Sequence, residues 1–287
     1  MATLATRITS TGTFLVNGTF DEITRTTISV TTNTVYSSLF DEVTLTKGST
    51  SPAMRQTNTG SIQVSTIFDE FTGAPIVDSS LLQWVDAAQT ASYPGSGTTW
   101  TNLNGSGSFS LSSATFTTLE GGAIVWPNSP AQGSFTPQPN ITGAHTISVW
   151  LKPTLVNAST IKRYVTLGSD SVVLRNDGIN SSGQLHYYLT VNSVITSLRV
   201  NGQVVANQPA NFVASWDGST MTLYKNGVSV GTQALSGTLQ TTTNWDAISG
   251  TTEPFVGNMY QIQMYNRALS ADEIAQNFNA LRRRYGL

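Results

Sequence analysis

Ten carboxylates follow residue 75 of this 287-residue chain: Asp78, Asp86, Glu120, Asp170, Asp177, Asp217, Asp246, Glu253, Asp272 and Glu273. Glycoside hydrolysis is the first chemistry to ask of them, because it needs two acids facing each other roughly 5–10 Å apart. Several are already accounted for. Asp217 precedes Gly218 and reads as a turn residue, and Asp272 and Glu273 sit where a helix starts. His145 follows Gly143-Ala144 at a strand entrance, and His186 precedes Tyr187-Tyr188. Neither neighbours a Gly-x-Ser-x-Gly motif, so both read as packed or polar-edge residues rather than a catalytic base. With no cysteine, thiolate catalysis, disulfides and cysteine-ligated zinc are excluded. Sugar recognition would instead use aromatic faces beside polar side chains. Tyr93, Trp126, Tyr187 and Trp245 lie next to turns or polar residues and are the expected glycan-stacking rings. Trp84, Trp150 and Trp216 fall within strand patterns and are expected in the core.

The elements that must hold these groups are mostly strands. Only 10% of the residues are charged, against roughly 25% in an average domain. Thr, Ser, Asn, Gln and Gly replace the charge. A net charge of -2 from 14 basic and 16 acidic residues argues against a nucleic-acid partner. No apolar run reaches the roughly 18 residues of a membrane span, so no membrane insertion is expected. Met1 to Ser10 has no apolar core of the kind a secretory signal carries.

From residue 76 to 287, short β runs alternate with turn signals, as in an antiparallel sandwich. Thr146-Ile147-Ser148-Val149-Trp150-Leu151 alternates and stops at Lys152-Pro153. Asn201-Gly202 and Asn226-Gly227 each predict a tight hairpin between the runs that flank them. One helix is predicted near the C-terminus. Ser270 and Glu273 form a capping box, Ile274, Phe278 and Leu281 make the buried stripe, and Arg282, Arg283 and Arg284 suit the negative end of the dipole before Gly286.

Residues 1–75 read differently. About one in four is Thr, Trp is absent, and Phe20-Asp21-Glu22, Phe40-Asp41-Glu42 and Phe68-Asp69-Glu70 repeat after extended stretches. Strands this short bury too little apolar area, at about 25 cal/mol per Å², to offset the ordering of the backbone. We therefore expect an extended β-repeat anchor that is ordered against a partner or in a homotrimer. The three Phe would fill pockets of the mounting surface, with the acids fixing register. Thr72-Gly73-Ala74-Pro75 reads as the linker.

The run Val256 to Ile274, with Tyr265-Asn266-Arg267-Ala268-Leu269-Ser270 leading into the capped helix, resembles the closing segment of laminin-G-like, concanavalin A-like jelly-roll domains. Trp216-Asp217-Gly218 through Gly227 resembles their central hairpin, and Thr146 to Pro153 their first long core strand. Leu82 to Ala88 with Ser92 to Leu103 resembles an opening found on such domains in bacteriophage virion proteins, and the Phe-Asp-Glu repeats resemble those heading tailed-phage, notably cyanophage, structural proteins. The resemblance implies an all-β jelly-roll sandwich with one short C-terminal helix. It also implies a non-enzymatic virion protein, in head decoration or in a tail fibre or baseplate. Such a protein would be assembled in the host cytoplasm and displayed on the particle surface, with other virion proteins and a host-surface glycan as partners.

Glucanases of this fold carry Glu-x-Asp-x-x-Glu on one strand, and that spacing is missing here. Calcium is the usual ion of the family. Asp170 and Asp177-Gly178 offer hard oxygens, but no Asp-x-Asp loop gathers them, so neither a metal ligand set nor a cofactor is assigned. The alternative from another class is a secreted or cell-surface lectin or glycanase unconnected with a virion.

Overall fold

The computed structural model describes Thr6–Ile8, Thr13–Val16, Glu42–Thr44, Ala53–Gln56 and Ser61–Val64, then residues 76–127, 131–137, 141–157, 160–168, 170–178, 183–240, 247–250 and 253–287. Two compact units result, Met1–Thr72 and Gly73–Leu287. In the first, β1 (Thr6–Ile8), β2 (Thr13–Val16), β3 (Glu42–Thr44), β4 (Ala53–Gln56) and β5 (Ser61–Val64) pair antiparallel in the order β1-β2-β5-β4-β3. Phe20, Asp21, Glu22, Phe40, Asp41, Phe68, Asp69 and Glu70 lie outside the described residues, and Glu42 is described only as the first backbone position of β3.

The second unit is a sandwich. Its strands are β6 (Leu81–Asp86), β7 (Thr99–Thr101), β8 (Ser108–Ser112), β9 (Thr115–Thr117), β10 (Ala123–Trp126), β11 (Ala131–Thr136), β12 (His145–Pro153) and β13 (Ile161–Leu167). They continue as β14 (Val172–Asp177), β15 (Leu185–Val191), β16 (Val194–Val200), β17 (Ala210–Trp216), β18 (Thr220–Lys225), β19 (Val228–Ala234), β20 (Ala247–Gly250) and β21 (Gly257–Tyr265). One sheet runs β19-β18-β17-β12-β21-β10-β9, with β6 also on β21; the other runs β16-β15-β14-β13-β20-β11-β8-β7. Between them lie Ile147, Val149 and Leu151 of β12, Phe212 and Trp216 of β17, Ile262 and Met264 of β21, and Val172, Leu174, Tyr187 and Leu189 from the facing sheet.

The central strands β12, β17 and β21 of the first sheet are buried on both faces. Helix α1 (Ala271–Leu281) lies across the sheet's outer side, capped by Ser270, whose Oγ accepts from Glu273 N at 3.2 Å while Glu273 Oε2 accepts from Ser270 N at 2.8 Å. Phe278 stacks on Trp150 at 5.5 Å and 4° between planes, and Tyr285 packs on the same indole at 4.6 Å. This is why β12 is almost wholly buried although its sequence alternates. Its polar members are satisfied: Thr146 Oγ1 donates to Arg267 O and accepts from Leu269 N, and Ser148 Oγ accepts from Asn211 Nδ2. The arginine triplet forms a 3₁₀ turn rather than the helix's last turn. Arg284 Nη1 reaches the fully buried Asp86 at 2.7 and 2.8 Å.

One hairpin departs from expectation. Asn226-Gly227 (φ 52° and 78°) does join β18 to β19. Asn201-Gly202 does not: the chain after it leaves the sheet, Val204 tucks in at 3% exposure with its N–H on Gly183 O, and β17 joins the opposite sheet. The partner of β16 is β15, closed by Asn192-Ser193 with φ of 51° and 64°. Both central residues of that turn have the positive φ of the hairpin type, and Ser in that position carries little sequence signal.

Candidate functional site

Because α1 covers one sheet, the outer face of the other is where functional side chains can stand clear. Alternation along its strands sends every second residue outward. The register then lines up Arg163 (β13), Arg175 (β14), His186 (β15) and Arg199 (β16) in one row across four strands. Three guanidiniums in a row would repel one another, so carboxylates are set among them. Arg163 grips Asp170 through both Nη atoms, with Nη2 to Oδ2 at 3.0 Å, and its Nε donates to Glu253 Oε2 at 2.6 Å. Arg175 Nη2 donates to Asp177 Oδ2 at 3.0 Å, and Arg199 Nε lies 3.8 Å from the same oxygen.

His186 is the hub of the row. Arg175 Nε donates to its Nδ1 at 3.0 Å, Asp177 Oδ2 stands 3.1 Å from that nitrogen, and Nε2 is 3.1 Å from Ser197 Oγ. A guanidinium nitrogen can only donate, so Nδ1 accepts and the ring proton sits on Nε2, toward Ser197. Burial, then the charges of Arg175 and Arg199, push the imidazole pKa well down despite Asp177, so the ring is neutral. Arg175 also lies over the ring of Tyr188 at 5.2 Å. Toward the other edge the same face carries no charge on its strands: Thr99, Ser110 and Ser134 align in one row, and Thr101, Ser108 and Thr136 in the next. The face therefore combines fixed guanidiniums and carboxylates with a flat field of hydroxyls, which is the donor and acceptor set that a polyhydroxylated ligand needs.

The expected stacking rings are elsewhere. Tyr93 is 4% exposed, packs on Phe116 at 5.2 Å and spends its hydroxyl on Gly97 O at 2.8 Å. Trp126 and Tyr187 are in the core at 1% and 0% exposure. These three rings cannot stack on an external sugar: Trp126 and Tyr187 point between the sheets from β10 and β15, and Tyr93 is buried in the loop between β6 and β7. Trp245 lies outside the described residues. Tyr187 instead bridges the sheets: its hydroxyl donates to His145 Nε2 at 2.7 Å, and His145 Nδ1 donates to Gly143 O at 2.7 Å. Burial lowers the pKa of His145 to about 4. Of the expected core tryptophans, Trp150 and Trp216 are buried and Trp84 is partly so.

Asp170 and Asp177, weighed for an ion, are committed to arginines, and no cluster of three metal-ligating side chains occurs among the described residues. Glu120 holds Lys152 at 2.5 Å and accepts from the Tyr260 hydroxyl, and Asp217 Oδ1 accepts from Ser219 N and Thr220 N in its turn. The residues missed in the sequence are Arg163, Arg175, Tyr188, Arg199 and Glu253. The available signal was that arginines, rare in this chain, recur at outward strand positions between residues 161 and 200.

Residues 128–275, just over half of the chain, match the laminin G family model described as the concanavalin A-like lectin/glucanases superfamily. The chain belongs to this superfamily. No curated protein matches it in sequence. Among solved structures, this concanavalin A-like domain is similar to the binding domain of botulinum neurotoxin serotype D, at 13% identity and TM-score 0.53, with 70% of this chain and 51% of that one covered. The binding domain of Paraclostridial Mosquitocidal Protein 1 gives 14% and 0.54, with 70% and 52% covered. Domain 4 of AbnA, a GH43 extracellular arabinanase from Geobacillus stearothermophilus solved in complex with arabinotriose, gives 14% and 0.55, with 69% and 98% covered. The chain thus spans about half the length of the toxin domains, and at such identities the likeness is one of fold. No helix of the described residues is long and apolar enough to cross a membrane.

Proposed function

We propose that residues 76–287 form a non-catalytic carbohydrate-binding module that uses the open sheet face carrying Arg163, Arg175, His186 and Arg199. The observation that carries this reading is the asymmetry of the sandwich: one sheet is covered by α1, and the other carries a pre-arranged polar row that is largely buried and reaches solvent through Arg199. It is supported by the family, and by a fold neighbour solved with an oligosaccharide. The state of the acids on that face supports a non-catalytic role. Asp170, Asp177 and Glu253 each already hydrogen-bond an arginine, leaving no pair open to a scissile bond.

A glycan array probed with the full chain tests the module. Arg199 is the row's most accessible cation, with 41% of its side chain exposed and a 3.8 Å contact to Asp177. Arg199→Ala is expected to weaken the best glycan at least about tenfold with an unchanged melting temperature. Absence of any binding at high micromolar concentration would overturn the reading.

We further propose that the module is displayed on a tailed-phage particle, in head decoration or on a tail fibre or baseplate, with residues 1–75 as the mount and threefold association through them. The three Phe-Asp-Glu copies support this, since repeated aromatic anchors followed by acids suit repeated pockets on an assembly. Replacing Phe20, Phe40 and Phe68 together by Ala is expected to remove the protein from purified particles, read by immunogold labelling, while the sandwich stays folded. Normal incorporation would refute the mount.

A further inference from the structure

A second polar group lies on the inner side of β13 and β14, at one end of the sandwich. Lys162 and Asn176 are direct cross-strand partners. Their neighbours Arg163 and Arg175 point out to the open face, so alternation turns Lys162 and Asn176 inward. Asn176 is 1% exposed, and neither its Oδ1 nor its Nδ2 has a hydrogen-bond partner. The β-bulge after Arg163 turns Tyr164 inward as well. Its ring is fully buried, stacked on Phe212 at 6.1 Å and edge-on to Phe255 at 5.6 Å, and its hydroxyl is unpaired. Lys162 is 7% exposed and forms no salt bridge among the described residues; Glu253, whose field it feels, is already bound by Arg163.

A buried amide or hydroxyl left without a hydrogen-bond partner gives up the hydration it had in the unfolded chain and gains nothing in return. Native domains carry few such groups, and two of them, Tyr164 and Asn176, beside the Lys162 ammonium on paired strands call for a partner. Their combined chemistry selects one. The ammonium, the amide Nδ2 and the phenol supply donors for a carboxylate, and Oδ1 supplies one acceptor for a hydroxyl next to it.

We propose that this end of the sandwich binds a small hydroxy-carboxylate through Lys162, Tyr164 and Asn176. The site is separate from the open face and stands whether or not that face binds sugar. The ligand chemistry has two sources, the uronic-acid end of a glycan and a free hydroxy acid.

The test uses the full chain, with the side-chain amide of Asn176 followed by ¹H–¹⁵N NMR and affinity by calorimetry. D-glucuronate is expected to shift the Asn176 amide saturably, whereas D-glucose and acetate leave it in place. Lactate as tight as glucuronate identifies the free acid as the source; glucuronate at least about tenfold tighter identifies the sugar. Lys162→Met and Asn176→Leu should each weaken glucuronate about tenfold or more, and Arg199→Ala on the outer face should not. Melting temperatures check the fold, with Tyr164→Phe as a milder third variant. No saturable shift up to about 50 mM, or affinity unchanged in the variants, overturns the proposal, as does a crystal structure with glucuronate that shows ordered water only at these groups.

Discussion

An Asp177→Ala protein is expected to lose about 3–5 kcal/mol of stability and all binding through the open sheet face. The side chain is 4% exposed and holds Arg175 at 3.0 Å, with His186 at 3.1 Å and Arg199 at 3.8 Å around the same oxygen. Ion pairs in water contribute about 0–1 kcal/mol, but this one is out of water, and removing Asp177 leaves Arg175 with only the longer 3.7 Å contact to Glu253 among the described residues. Arg175 has 12% of its side chain exposed and cannot rehydrate without leaving Tyr188 and His186. Urea unfolding of Asp177→Ala, Arg175→Met and the double variant measures the effect. The double variant should recover part of the loss, because no buried charge is then left unpaired. A loss below about 1 kcal/mol for Asp177→Ala would show that the row behaves as an ordinary surface network.

Acid is expected to destabilise the sandwich by about 3 kcal/mol through His145 alone. The folded pKa is lowered to about 4 by burial, against about 6.5 in the unfolded chain. Between those values the unfolded state binds the proton and the folded state does not, so stability falls as pH drops. The contribution is whole above pH 6.5, declines by about 1.4 kcal/mol per pH unit, and is exhausted near pH 4. Charging the ring would place a cation between the sheets, against Trp216 and Tyr187. His186, lowered by burial and two arginines, adds in the same direction. Denaturant midpoints from pH 7 to 4 for the wild type and His145→Gln check the slope, and an NMR titration of His145 near pH 6.5 would contradict it.

Much of the architecture could be read from local chemistry. The Ser270/Glu273 capping box, the Asn226-Gly227 hairpin and the alternating runs each carry their own physical signal within a few residues. The aromatic residues could not be placed that way. Tyr93, Trp126 and Tyr187 stand beside turns or polar residues, but whether a ring at a strand position faces solvent or core depends on which sheet covers which face. The row of Arg163, Arg175, His186 and Arg199 was equally hidden, because it exists only across strands.

From the chain alone came the all-β class, the single capped helix and the scarcity of charge, since strand alternation, capping and composition are local properties. Tertiary structure decided which sheet α1 shields, which strand pairs with β16, and which polar residues meet on the remaining face. The reason is that register and layer packing are set by contacts between residues distant in sequence, and those contacts determine what each side chain can touch.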